Sequence, residues 1–175
     1  MPKRALILVA VLLGAYLLAK LLVPSPAPPD DGLLPVGTVA PDFDAKAVDG
    51  RPVRLSDLRG KVVVLDFWAT WCGPCVGMIP HERTLVARLQ DRPFVFVGIS
   101  ADDEEDELRN FIKDNRLTWP IVRDGSLGPI QKQYRVEGLP TVYVLDAAGV
   151  IRFKGAGVGA VNLDKAVDAL LAELH

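Results

Sequence analysis

Apolar positions along this chain change their spacing near residue 23, and that change divides the sequence into three parts. Residues 5–23 form a 19-residue apolar stretch broken only by Gly14, Tyr16 and Lys20, with Lys3 and Arg4 before it. A helix rises about 1.5 Å per residue, so this one would extend about 28 Å, near the hydrocarbon thickness of a bilayer. The expectation is a transmembrane anchor over 5–23 with residues 1–4 in the cytoplasm. The basic pair favours that orientation, and Lys20 can snorkel to the far interface. A cleaved signal peptide with its apolar core over 5–19 is the competing reading, although no small-x-small cleavage site precedes the prolines. A lipoprotein is excluded because no cysteine lies near the segment. Residues 24–34 make an extended, proline-rich linker, with Pro24, Pro26, Pro28 and Pro29 close together. Residues 35–175 are long enough for one domain with a proper core.

Within that domain the spacing predicts its elements in turn. Residues 36–58 read as short strand-like pieces turning at Asp49-Gly50, with Ser56 as N-cap of a single helical turn at Asp57-Leu58. This is a small N-terminal hairpin. Residues 61–68 are a continuous, valine-rich apolar run, which suits a central strand buried on both faces of a sheet. Helical spacing follows over 74–89, with Pro80 as a kink inside it, and 94–99 is a second short buried strand. Residues 104–115 read as a helix, 120–122 as an extended piece, and 126–134 as a helical stretch with Ser126 as cap. Strands at 141–145 and 150–154 are joined by Asp146-Ala-Ala-Gly149, and Asn162 caps a last helix over 163–174. The order is that of an α/β domain with a mixed sheet.

Composition narrows the chemistry. Lys plus Arg number 20 against 22 Asp plus Glu, a net charge of −2, so a nucleic-acid partner is not expected. Two cysteines and two histidines cannot make a four-ligand structural zinc site without carboxylate help, and no metal site is expected. The acidic run 102–107 reads as a solvated helix start favoured by the helix dipole, and His81 as an ordinary helix residue.

The two cysteines carry the strongest signal. Trp71-Cys72-Gly73-Pro74-Cys75 follows the central strand directly and opens the next helix. Unpaired N–H groups and the dipole at such a helix mouth favour a thiolate, which makes Cys72 the expected reactive sulfur. Cys75 lies one turn further on the same face, within reach of a disulfide. As a structural staple the pair is poor, since the loop-closure model gives so short a loop only about 2 kcal/mol. Haem attachment would need His where Val76 stands. A redox pair is the better account, and no cofactor beyond a Cys72–Cys75 disulfide is expected. Asp66, inside the apolar run 61–68, is costly there unless paired, so a functional carboxyl is indicated.

These residues resemble a known family. Asp66-Phe-Trp-Ala-Thr-Trp-Cys-Gly-Pro-Cys75, Pro80 in the helix after it, and Gly138-Leu-Pro-Thr141 before a strand look like a thioredoxin fold. Gly37-Thr-Val-Ala-Pro-Asp-Phe43, Leu55-Ser-Asp-Leu-Arg-Gly-Lys61 and the single anchor are similar to membrane-tethered thiol-disulfide oxidoreductases of the TlpA and ResA type, which include reductases serving cytochrome c maturation. The resemblance implies that Cys72 attacks, Cys75 resolves, and Leu139-Pro140 is a cis peptide packed against the disulfide. Trp71, Gly73, Pro74, Leu139 and Pro140 would then contact substrate, while Trp68 is as well explained as core. The family often carries Glu three residues after the second cysteine, where this chain has Met78, and many members have Asn in place of Asp66. Asp66 matches instead the buried aspartate of thioredoxin, implying a proton acceptor for Cys75.

The function expected is therefore an extracytoplasmic thiol-disulfide oxidoreductase. The Gly-Pro pair favours the reducing direction, with disulfide-containing extracytoplasmic proteins and a membrane electron donor as partners. A peroxiredoxin-like peroxidase would have Thr three positions before its reactive cysteine, where Ala69 stands, and a binding module with incidental thiols is the third class. The anchor has a direct test. The full chain should sediment with membranes, and protease added from the extracytoplasmic side should release the domain. Recovery of a shortened soluble chain would mean a signal peptide instead.

Overall fold

The computed structural model describes Leu13, residues 31–157 and residues 162–174. The expected anchor apart from Leu13, and the linker as far as Asp30, lie outside the described residues. Among those described, no helix is long and apolar enough to cross a membrane.

The valine-rich run forms β3 (Val62–Trp68), with every residue buried, and the rest of the sheet is assembled on it. β4 (Phe94–Ser100) pairs with β3 in parallel, and β5 (Ile121–Arg123) pairs in parallel with β4. On its other edge β3 takes β6 (Thr141–Leu145) antiparallel, and β7 (Ile151–Ala156) closes that side as a hairpin partner of β6. The strand order is β5-β4-β3-β6-β7. The expected N-terminal hairpin is also present, as β1 (Asp44–Lys46) against β2 (Pro52–Arg54), turning through Asp49 and a left-handed Gly50 at φ +91°. The fold is thus a thioredoxin-like α/β architecture with a mixed central sheet.

Alternation along β3 separates two cores. Val62, Val64 and Trp68 face a layer built from α1 (Gly73–Arg88), α2 (Glu105–Asp114) and α4 (Leu163–Ala172). Val63, Leu65 and Phe67 face the opposite layer, which holds Phe43, Val53, and Ile130 of the short helix α3 (Pro129–Gln133). Tyr143 ties that second layer together, donating from its hydroxyl to the Tyr134 carbonyl at 2.7 Å and accepting from the Leu34 amide at 3.0 Å. Asp66, between Val64 and Trp68, therefore points into the three-helix side.

Two local expectations are corrected. Ser56 is not a cap: the 3-10 turn begins at Leu55, and the Ser56 amide donates to Asp42. Ser126 does not cap the next helix either, since α3 starts three residues later, with its Ile130 and Gln131 amides bound by the Asp124 carboxylate. Both serines stand near a helix start, but a carboxylate elsewhere is the better acceptor in each case. Asn162 does sit at the N-cap position of α4, without a side-chain hydrogen bond. The β6–β7 hairpin turns as expected, with the Asp146 carboxylate accepting from the Ala148 and Val150 amides and Gly149 at φ +75°.

Gly98 on β4 is a place where a side chain cannot go. A Cβ there would lie 2.9 Å from Trp68 Nε1 and 3.2 Å from Ile121 Cγ1. Gly98→Ala should therefore destabilise the domain by about 1–3 kcal/mol through overpacking, read as a fall in the denaturant midpoint with little change in slope.

Candidate active site

The strand-to-helix junction places the cysteines as the pattern predicts. Cys72 is the N-cap of α1, Pro74 stands in the first turn where its missing N–H costs nothing, and the Cys75 amide donates to Cys72 Sγ at 3.3 Å. The two sulfurs form a disulfide across a Cα–Cα distance of 5.3 Å. Both are buried, Cys72 at 7% exposure and Cys75 at 3%, so the difference in shielding is smaller than their positions along the helix suggest. α1 continues through Pro80 to Arg88.

Exposed residues surround this buried pair. Trp71 is 67% exposed although it adjoins Cys72, and Gly73 and Pro74 are exposed beside it. The Leu139–Pro140 bond is cis. Leu139 is half-buried and packs against the cluster that contains both cysteines, while Pro140 is buried at the start of β6. Trp68 is core, leaving its indole N–H buried without a hydrogen-bond partner.

Asp102 overturns part of the reading of the acidic run. It is 4% exposed and fastens the loop ahead of the cysteines. Its carboxylate accepts from the Thr70 amide at 3.1 Å, from the Thr70 hydroxyl at 2.5 Å and from the Ser100 hydroxyl at 2.7 Å. A charge-assisted network of this kind is rigid, and it ties the end of β4 to the residue preceding Trp71. Only the residues after Asp102 form the exposed helix start. Thr70 lies 32 residues away in sequence, so local spacing gave no sign of this pairing.

Asp66 is in the interior as expected, 3% exposed and with its Oδ1 unpartnered. Its register partners are Gly98 on β4 and Val142 on β6, neither of which offers a charge. Burial pushes its carboxyl up to about 7. The residue that sequence reasoning missed is Glu82, also 3% exposed, whose carboxyl is pushed up to about 9 by burial first and by the Asp66 charge second. The signal was available: Cys75, Ile79, Glu82 and Leu85 recur at helical spacing, so Glu82 belongs to the buried stripe of α1. His81, by contrast, is an exposed partner of Asp164 at 3.2 Å.

A mixed sheet carrying a disulfide at the mouth of its central strand–helix junction defines a thioredoxin-like thiol-disulfide oxidoreductase. The chain belongs to the AhpC/TSA family, whose model matches residues 36–154. It is 36% identical over 140 residues to the thiol-disulfide oxidoreductase ResA of Oceanobacillus iheyensis, a match covering 78% of this chain and 71% of that protein. It is 39% identical over 118 residues to the thioredoxin-like protein YneN of Bacillus subtilis, covering 66% of this chain and 68% of the relative. Among solved structures, a Chlorobium tepidum protein assigned as a thiol:disulfide interchange protein DsbE superposes with a TM-score of 0.73 at 30% identity, over 79% of this chain and 99% of that one. These likenesses support a protein of the TlpA and ResA type.

The two buried carboxyls carry a stability consequence. Their folded values lie above the ordinary 3.8 for Asp and 4.5 for Glu, so between pH 4 and 9 the folded oxidised protein binds more protons than the unfolded chain. Stability should be greatest near pH 4 and fall as pH rises through about 7 and then about 9. Asp66→Asn and Glu82→Gln should each flatten that decline and stabilise the oxidised protein at pH 8 by about 1–4 kcal/mol, measured by urea unfolding across pH. A parallel decline in both variants would remove these carboxyls as its cause.

Proposed function

We propose that this oxidoreductase works outside the cytoplasmic membrane, anchored by residues 5–23, and reduces disulfides in extracytoplasmic proteins through Cys72 and Cys75. The observation that carries this is the buried cysteine pair at a helix N-terminus, collared by exposed Trp71, Gly73 and Pro74. In the reduced enzyme the Cys72 thiolate attacks a substrate disulfide, forming a Cys72–substrate S–S bond as one substrate sulfur leaves and takes up a proton. Cys75 then loses its proton to the Asp66 carboxylate and attacks Cys72 Sγ. The mixed disulfide breaks, the second substrate sulfur leaves as a thiol, and the Cys72–Cys75 disulfide re-forms. The substrate has gained two electrons and the enzyme has lost two. A membrane dithiol donor must then return them.

Trp71 and the Leu139–Pro140 segment give the substrate chain an apolar rim to dock on. The Gly-Pro pair and the TlpA and ResA likeness support the reducing direction and a substrate in cytochrome c maturation. The peroxidase alternative has less support, since Ala69 stands three positions before Cys72 and the neighbouring Thr70 hydroxyl is already held by Asp102.

Variants of the two cysteines test this division of labour in the full chain. Cys75→Ser should accumulate mixed disulfides with partner proteins through Cys72, because attack proceeds and resolution cannot. Cys72→Ser should trap nothing and lose turnover by at least about a thousandfold. Mass spectrometry of the trapped species would identify substrate proteins. First alkylation at Cys75 in the reduced protein, or trapping by Cys72→Ser, would reverse the assignment.

A further inference from the structure

Glu82 lies outside the exchange chemistry described so far, yet it occupies the same interlayer. Cys75, Ile79, Glu82 and Leu85 line the buried face of α1, and alternation along β3 turns Asp66 toward that face. Both carboxyls are 3% exposed. Among the described residues, the elements packed around them bring no compensating cation. β4 and β6 oppose Asp66 with Gly98 and Val142. α2 contributes Leu108 and Phe111 to this side, and α4 contributes Leu163 and Val167. The ionisable groups shared by α1 and α4 are occupied at the exposed rim, where Asp164 meets His81 and Asp168 meets Arg88. Among the described residues, the titratable groups on the inward positions of β3 and the buried face of α1 are the two carboxyls and, once the disulfide is reduced, the two cysteines.

Two carboxylates in one low-dielectric layer cannot both ionise without strong mutual repulsion, so such a pair holds a proton between them over a wide pH range. We infer that Glu82 and Asp66 form a proton-sharing carboxyl pair across the β3–α1 interlayer, in which Glu82 keeps the proton and leaves Asp66 as the carboxylate that receives the proton of Cys75. This deepens the dithiol–disulfide mechanism proposed above and rests on it. Glu82 is then a positioning residue: it does not touch the reacting sulfurs, and it acts by fixing the charge of Asp66. It is the single carboxyl of α1, four positions beyond Met78, the place where the family often carries Glu. The asymmetry has a physical origin. Glu82 is raised by both burial and the Asp66 charge, whereas burial alone raises Asp66.

During resolution the bookkeeping of protons is simple. The Cys75 proton moves to Asp66, the Cys72–substrate bond breaks, the Cys72–Cys75 bond forms, and the substrate thiolate is protonated from water. Glu82 stays neutral throughout. Once Glu82 ionises at alkaline pH, the layer carries two negative charges and Cys75 deprotonates less readily, so resolution by Cys75 should slow.

The test is a titration of the oxidised full chain carrying carboxyl-13C Asp and Glu, followed by NMR, which needs no activity. Asp66 is expected to ionise before Glu82, and Asp66→Asn is expected to lower the Glu82 midpoint by about one pH unit or more. Glu82→Gln should leave the Asp66 midpoint within about half a unit, because Glu82 is still neutral when Asp66 titrates. A Glu82 midpoint unmoved by Asp66→Asn, or Glu82 ionising first, would overturn the inference; the order in the unsubstituted chain decides the second point even if a variant does not fold. A kinetic arm then reads the release of glutathione from its mixed disulfide with Cys72. Glu82→Gln should abolish the alkaline step of that pH profile while the alkylation rate of Cys72 stays within about twofold. Superimposable profiles would also overturn it. If the cysteine variants trapped no partner, the exchange mechanism would fail while the carboxyl coupling was still measured independently.

Discussion

Burial of β3 on both faces constrains everything around it, because a strand without a solvent face must have each polar group either bonded or neutral. The backbone of β3 meets this through β4 and β6. The side chain of Asp66 does not, and its carboxyl resolves the conflict by holding a proton to higher pH than an exposed aspartate would. The same burial delivers the chain from Trp68 through a short loop to the N-terminus of α1, so the redox pair and the acid beneath it follow from one strand. Removing the flanking strands would remove both.

The loop between β3 and α1 is held from outside the motif. Asp102 reaches back from the end of β4 to the amide and hydroxyl of Thr70, and the Trp68 carbonyl accepts from the Ala101 amide at 2.9 Å. Parallel pairing of β3 with β4 makes this possible, since it brings their C-terminal ends to the same edge of the sheet. Ligand sites in open α/β sheets gather at such edges for the same reason. Here that edge carries a disulfide whose exposed collar is the tryptophan next to it.

Much of this was legible in the sequence because it is local. The valine-rich run 61–68, the Cys-Gly-Pro-Cys turn opening a helix, the Asp49-Gly50 and Asp146 to Gly149 turns, and the hairpin order all depend on residues near one another in the chain. Burial of Asp66 could be read from its apolar neighbours. Glu82 carries the same signal in its helical spacing from Cys75 and Ile79, but an acid between His81 and Arg83 was passed over as part of an exposed face.

What the sequence determined by itself is therefore the periodic and the covalent: which segments form strands and helices, and that two thiols one turn apart at a helix start make a disulfide. Tertiary structure alone decided which distant groups meet. It set Asp102 against Thr70, gave Asp124 rather than Ser126 the start of α3, and placed Glu82 in one buried layer with Asp66. The reason is that charge and hydrogen bonding act through space. A carboxylate's state depends on the dielectric and partners that packing supplies, and these are fixed only when the sheet and its three helices close over it.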